Sequence, residues 1–135
     1  MSLFSLVGST FAKDFGEGQV WSYKTREGEE ESTVLINKVE QVPKLGKIFH
    51  ISIFGVKVKN PRISSGVSTE LPHSPVSEET LRKSLKKLIR RSSPNPDYAE
   101  GYKTWKEAFD KGEAGVFTID VAEIIDVIEK AINQP

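Results

Sequence analysis

The sequence predicts a single α+β domain, a curled antiparallel sheet followed by three helices packed on one face. Two-residue alternation runs from Gln19 to Lys59, apolar residues recur at helical spacing from Ser77 onward, and the two patterns are segregated along the chain rather than interleaved. At 135 residues one hydrophobic core suffices, so positions 1–135 form one domain with a sheet over roughly 18–60, a connection over 61–76 and helices over roughly 77–132.

From Gln19 to Arg26, Trp21 and Tyr23 fall on one side and Ser22 and Lys24 on the other, the period of a half-buried strand. The turn "EGEEE" supplies Gly28, and "STVLINKVE" continues with the β-branched Thr33, Val34, Ile36 and Val39. The stretch from Gly18 to Asn37 therefore reads as a hairpin before it reads as a site. Pro43 and Gly46 mark a second turn, after which "KIFHISIFGVKV" sets Phe49, Ile51 and Ile53 on one face and His50 and Ser52 on the other. Gly55 marks a bulge at which the sheet can curl, and an SH3-like barrel is one way for it to close. Residues 61–76 are rich in Ser, Gly and Pro and lack helical periodicity. They read as a connection with room for a short edge strand at "GVSTEL".

The first helix is predicted over "SEETLRKSLKKLIRR", with Ser77 as N-cap, acids in the first turn and Leu81, Leu85, Leu88 and Ile89 as its buried stripe. A second starts near Pro96, carries Tyr98, Tyr102, Trp105 and Phe109 on one face and ends at Gly112. The third, "DVAEIIDVIEKAI", has Asp120 and Glu123 placed for a capping box and Ile119 placed to pack on Ile124.

Composition narrows the function classes. Nineteen basic residues balance nineteen acidic ones, so no global field draws in nucleic acid or an anionic membrane. The absence of cysteine removes thiolate chemistry and cysteine metal sites and fits a cytoplasmic location. The opening "MSLFSLVGSTFAK" lacks the basic and long apolar regions of a secretion signal, and no later run is long enough to span a bilayer. Nucleotide-binding glycine motifs and a G-x-S-x-G elbow are missing, so no cofactor is expected. No histidine pair at helical spacing suggests a metal.

Two clusters stand out. Arg82, Lys83, Lys86, Lys87, Arg90 and Arg91 would line one helix opposite its leucines, a row suited to a phosphate backbone or an acidic partner. Glu78 and Glu79 precede Arg82 and Lys83 by four residues, which favours a solvated helix face with internal pairs. His50 and His73 are the only histidines and the natural acid–base pair, with Arg26 as electrostatic support. Lys24 and Arg26 are expected to share the outward sheet face with His50, whereas "PHSP" around His73 has the composition of an ordinary turn.

The stretches "GQVWSYKTREGEEESTVLI", "IFHISI" and "LPHSPVSEETLRKSL" resemble a family of small uncharacterised bacterial proteins, which implies no particular activity. The segment "YKTWKEAFDKGEAGVFTIDVAEIIDVIE" is similar in composition to small bacterial immunity proteins, and that resemblance implies a non-enzymatic role in binding another protein. The combined expectation is a cytoplasmic bacterial protein-binding module, monomer or homodimer, without cofactor or membrane. Lys24, Arg26, Arg82, Lys83, Lys86, Lys87 and Arg90 are its candidate binding residues. Nucleic acid binding through the basic helix is a less favoured partner choice. The alternative is a small hydrolase or nuclease using His50, His73 and Arg26.

Overall fold

The computed structural model describes residues 14–135, so the reading of the opening segment as a poor secretion signal lies outside the described residues. Strands β1 (Gln19–Tyr23), β2 (Thr33–Val42), β3 (Gly46–Lys59) and β4 (Val67–Ser77) form an antiparallel meander. Helix α1 (Glu78–Ser84) then leads to β5 (Leu85–Arg91), which pairs antiparallel with β1, giving the order β4-β3-β2-β1-β5. Helices α2 (Tyr98–Asp110) and α3 (Val121–Ile132) follow.

The α+β class and the curled antiparallel sheet stand. The sheet is open, with β4 and β5 as edges, and does not close into an SH3-like barrel. Its curl follows from connectivity. In a flat sheet β4 and β5 would lie about 19 Å apart, four strand spacings, while a seven-residue helix rises only about 10 Å. The two edges must therefore approach each other, helped by bulges at Asn37, near Pro72 and at Gly55. Gly55 has φ +80°, and a Cβ there would stand 3.2 Å from Ser32 Cα, so the bulge predicted at this glycine needs one.

Two elements differ from the spacing-based expectation. The connection over 61–76 is mostly strand, because Val67–Ser77 pairs along β3. Pro72 and Pro75 concealed this, yet β4 is bonded to a full strand on one side only, and an edge tolerates missing N–H groups. The long basic helix stops at Ser84. Its Oγ donates to the Thr80 carbonyl (2.6 Å) and accepts the Val121 N–H (3.0 Å), and its carbonyl accepts the Lys24 N–H (3.0 Å). The largely buried β1 would otherwise leave one row of backbone groups unpaired, and β5 satisfies that row. The helical leucine stripe is broken in exchange: Leu81 and Leu85 stay buried, while Leu88 and Ile89 are 40% and 46% exposed.

The helices divide between the two faces of the sheet, where the spacing had placed all three on one. Phe49, Ile51 and Ile53 of β3 share a core with Trp21, Val34, Ile36, Leu81 of α1 and Ile124 and Ile125 of α3. His50, which alternates with them, instead meets Tyr102 and Trp105 of α2. The predicted caps of α1 and α3 form: Thr80 N–H donates to Ser77 Oγ (3.2 Å), and Glu123 N–H to Asp120 Oδ1 (2.9 Å) with Asp120 N–H donating back to Glu123 Oε1 (3.4 Å).

Arg26 is the buckle of the α3 side. Its guanidinium donates to both oxygens of Glu29 (2.9 and 2.7 Å), to Asp126 (3.0 Å) and to Glu129 (2.9 Å), while Glu29 also accepts the Lys57 N–H (2.6 Å). Hydrogen bonding to Glu29 raises the Arg26 pKa further, and the Lys59 N–H holds the Glu129 carboxyl below its usual range. The Glu29 side chain is only 2% exposed, so removing its partner strands a buried carboxylate. Arg26→Ala is therefore expected to lower the unfolding free energy by about 2–4 kcal/mol, read from the midpoint and slope of a urea titration.

Candidate functional site

Antiparallel register sets Lys38 opposite His50 and Glu40 opposite Ile48, so Lys38, Glu40 and His50 project from one face. On the other side of β3, His50 is paired with Pro75, so strand alternation brings His73, two residues earlier on β4, to the same face, and the register shift between the Ile51 and Ile53 pairings returns Leu71 to the apolar side. "PHSP" is thus a bulged strand and not a turn. The two imidazoles lie in contact, His50 Nδ1 to His73 Nε2 at 2.9 Å, with His50 Nε2 2.7 Å from Glu40 Oε1. An ionised Glu40 can only accept, so His50 Nε2–H donates to it. His50 Nδ1 is then the acceptor for His73 Nε2–H, and both rings are neutral.

Helix α2 roofs this row. Tyr102 meets His50 edge-on at 4.7 Å between centroids, Trp105 at 4.9 Å, and Trp105 Nε1–H donates to the Gly115 carbonyl (2.8 Å). Gly101 lets the helix settle so close, since a Cβ there would stand 2.9 Å from His73 Cβ. Lys106 lies 3.5 Å from Glu40 and 3.4 Å from Asp110, and Lys38 Nζ sits 5.4 Å from the Tyr102 ring centroid. Burial disfavours the imidazolium of His50 despite Glu40, and burial together with His50 pushes His73 down to about 4. Burial opposes the Glu40 carboxylate, but hydrogen bonding from His50 and Tyr102 outweighs it and holds the carboxyl below its usual range. Burial and Glu40 push the Tyr102 hydroxyl up to about 12.

Beside the histidines, Asn37 Nδ2 donates to Ser52 Oγ (2.9 Å), which donates to the Pro72 carbonyl (2.7 Å). Asn95 N–H donates to Asn37 Oδ1 (2.7 Å), and its Nδ2 reaches Ser52 Oγ (3.2 Å) and Glu70 (2.8 Å). This row pins the connection between β5 and α2 across the sheet.

Of the residues singled out in the sequence, His50 and His73 come together. Arg26 does not join them, because α3 holds it on the opposite side of the sheet. Lys24 is exposed just past β1 and shares no contact with the imidazoles. Arg82 pairs with Glu78 and Lys83 with Glu79 (3.4 Å) on α1. Lys86, Lys87, Arg90 and Arg91 are not helical at all. They project from β5, an edge strand exposed along its whole length after Leu85, and none has an acidic partner within salt-bridge distance among the described residues. Sequence reasoning missed Glu40 and Tyr102. Glu40 was legible as the outward neighbour of Lys38 once β2 and β3 were set in register, whereas Tyr102 stood out only as part of the aromatic face of its helix.

Two cavities of note lie elsewhere. One of about 440 Å³ sits between the β2–β3 turn and the segment after α2, lined by Ile48, Phe109 and Val116. Another of about 360 Å³ lies under the connection after β5, lined by Val20, Leu35, Phe54 and Arg90. Neither imidazole lines either of them. Among the described residues no cluster of three metal-ligating side chains occurs, and no helix is long and apolar enough to cross a membrane. Comparison of the chain with protein-family models, with curated proteins and with solved structures yields no match.

The depressed histidine pKa values fix the sign of a pH dependence. The unfolded chain takes up protons near pH 6.5, the folded one only near 4 at His73, so this stabilisation is complete above about 6.5 and is lost as pH falls towards 4. The loss amounts to at most about 3 kcal/mol for His73. Urea unfolding at pH 7 and pH 4.5 should show a steeper loss for the wild type than for His73→Gln, and the His73 ring resonance should titrate well below 6.5.

Proposed function

We propose that the chain is a non-enzymatic cytoplasmic bacterial protein-binding module that takes an extended acidic segment of another protein along the open edge of β5. The observation that carries this reading is the edge itself. Lys86, Lys87, Arg90 and Arg91 stand on a strand paired on one side only, beside the exposed Leu88 and Ile89, whereas Arg82 and Lys83 are neutralised on α1. An exposed strand edge offers backbone donors and acceptors to an added strand. Four like charges repel a second copy of the same edge and favour a strand of opposite sign. Without interleaved aromatics, the row lacks a stacking platform for single-stranded nucleic acid.

The alternative reading, a small hydrolase or nuclease with His50 and His73 as acid and base, draws support from their 2.9 Å contact. Coverage speaks against it: His50 has no exposed surface, α2 lies over both rings, and Arg26 is committed to α3.

An octapeptide alternating glutamate and valine, followed by fluorescence polarisation, tests the binding reading. It should bind with an affinity that falls as salt rises, protect β5 amides from hydrogen exchange and bind at least about tenfold more weakly to the protein with all four cations replaced by glutamate. Equal binding of a lysine–valine peptide, or tighter binding of single-stranded nucleic acid, would count against an acidic protein segment.

A further inference from the structure

We infer that the cavity beside the end of β5 is a selectivity pocket for the same acidic segment, taking one apolar side chain just beyond the paired stretch while a neighbouring carboxylate rests on Arg90. This rests on the β5 reading above.

The cavity holds about 360 Å³. Its floor is apolar, with Val20 and Leu35 only 2% and 3% exposed and Phe54 half-buried beside them. Its wall is the Ser92–Pro96 connection, which is anchored at both ends. Ser92 N–H donates to the Gly18 carbonyl (2.7 Å), and Asn95 is tied to Asn37, Ser52 and Glu70. Pro94 and Pro96 restrict the backbone on either side of Asn95. The pocket is therefore formed before anything enters, as small-ligand and side-chain sites usually are.

Arg90 links pocket and edge. It is the direct cross-strand partner of Val20, so its side chain belongs to the same face as the floor, and it has no carboxylate within salt-bridge distance among the described residues. The far side has the opposite sign: Glu70 is paired with Phe54 across β3 and β4 and accepts from Asn95. A carboxylate is therefore favoured on the β5 side and repelled on the β4 side, with apolar surface between. The ladder of β5 ends at Arg91, so a paired segment leaves the edge there, and its next residue can turn inward over Arg90. A free guanidinium, an apolar floor and a strand end within one turn of chain select an apolar residue flanked by acid.

Two peptides decide the matter: the glutamate–valine octapeptide extended by phenylalanine at either terminus, and the same peptide extended by glycine. One phenylalanine form should bind about tenfold more tightly than its glycine counterpart. That advantage should vanish in Ser93→Trp, which fills the cavity from its rim, while the glycine form binds wild type and variant alike. Because an altered connection can perturb folding, Val20 and Leu35 methyl resonances of the unmodified protein give a second readout, shifting with phenylalanine and not with glycine. If the phenylalanine and glycine forms bind equally and both still depend on the β5 cations, the pocket inference fails and the edge reading survives. If neither peptide binds, both fail.

Discussion

Strand β3 is buried on both faces from Ile48 to Ile53, and the rest of the architecture answers that constraint. Its apolar side, Phe49, Ile51 and Ile53, is covered by α1 and α3 in one continuous core. Its other side carries His50 and Ser52, which can be buried only with hydrogen-bond partners. Those partners are Glu40 and Asn37 from β2, His73 and the Pro72 carbonyl from β4, and Asn95 from the connection. The polar face thus dictates where that connection runs and, through Gly101, how closely α2 can lie.

A second constraint arises at the opposite edge. β1 is short and mostly buried, and pairing with β2 satisfies only one of its sides. Leu85–Arg91 supplies the other side at the expense of two exposed apolar residues. This rearrangement changes the charge pattern of the surface. Cations that would have formed rows on a helix beside their glutamates are redistributed, two remaining paired on α1 and four lying along an open strand.

The histidines illustrate how far the candidate site was legible. Their residue type marked them, and the alternation of β3 placed His50 opposite the apolar core. What spacing could not show was that β4 is a strand at all, paired so that His73 falls on the same face, because two prolines in four residues resemble a turn unless the neighbouring strand is known. Arg26 failed for a related reason. It lies beyond the end of β1, where alternation no longer predicts direction, and three carboxylates separated from it by as many as 103 residues decide where it points.

The sequence by itself determined the elements whose signals are local: the first hairpin, the glycine bulge, the capped ends of α1 and α3, and the aromatic face of α2. Their causes lie within a few residues of chain, in φ preferences, side-chain caps and the periodicity of burial. Only the tertiary structure decided that Leu85–Arg91 is a strand, that α2 covers the histidine face, and that Glu40 joins His50 and His73. The apolar spacing of Leu85, Leu88 and Ile89 suits a helix, and what overrode it was a row of backbone groups on a strand more than sixty residues earlier in the chain.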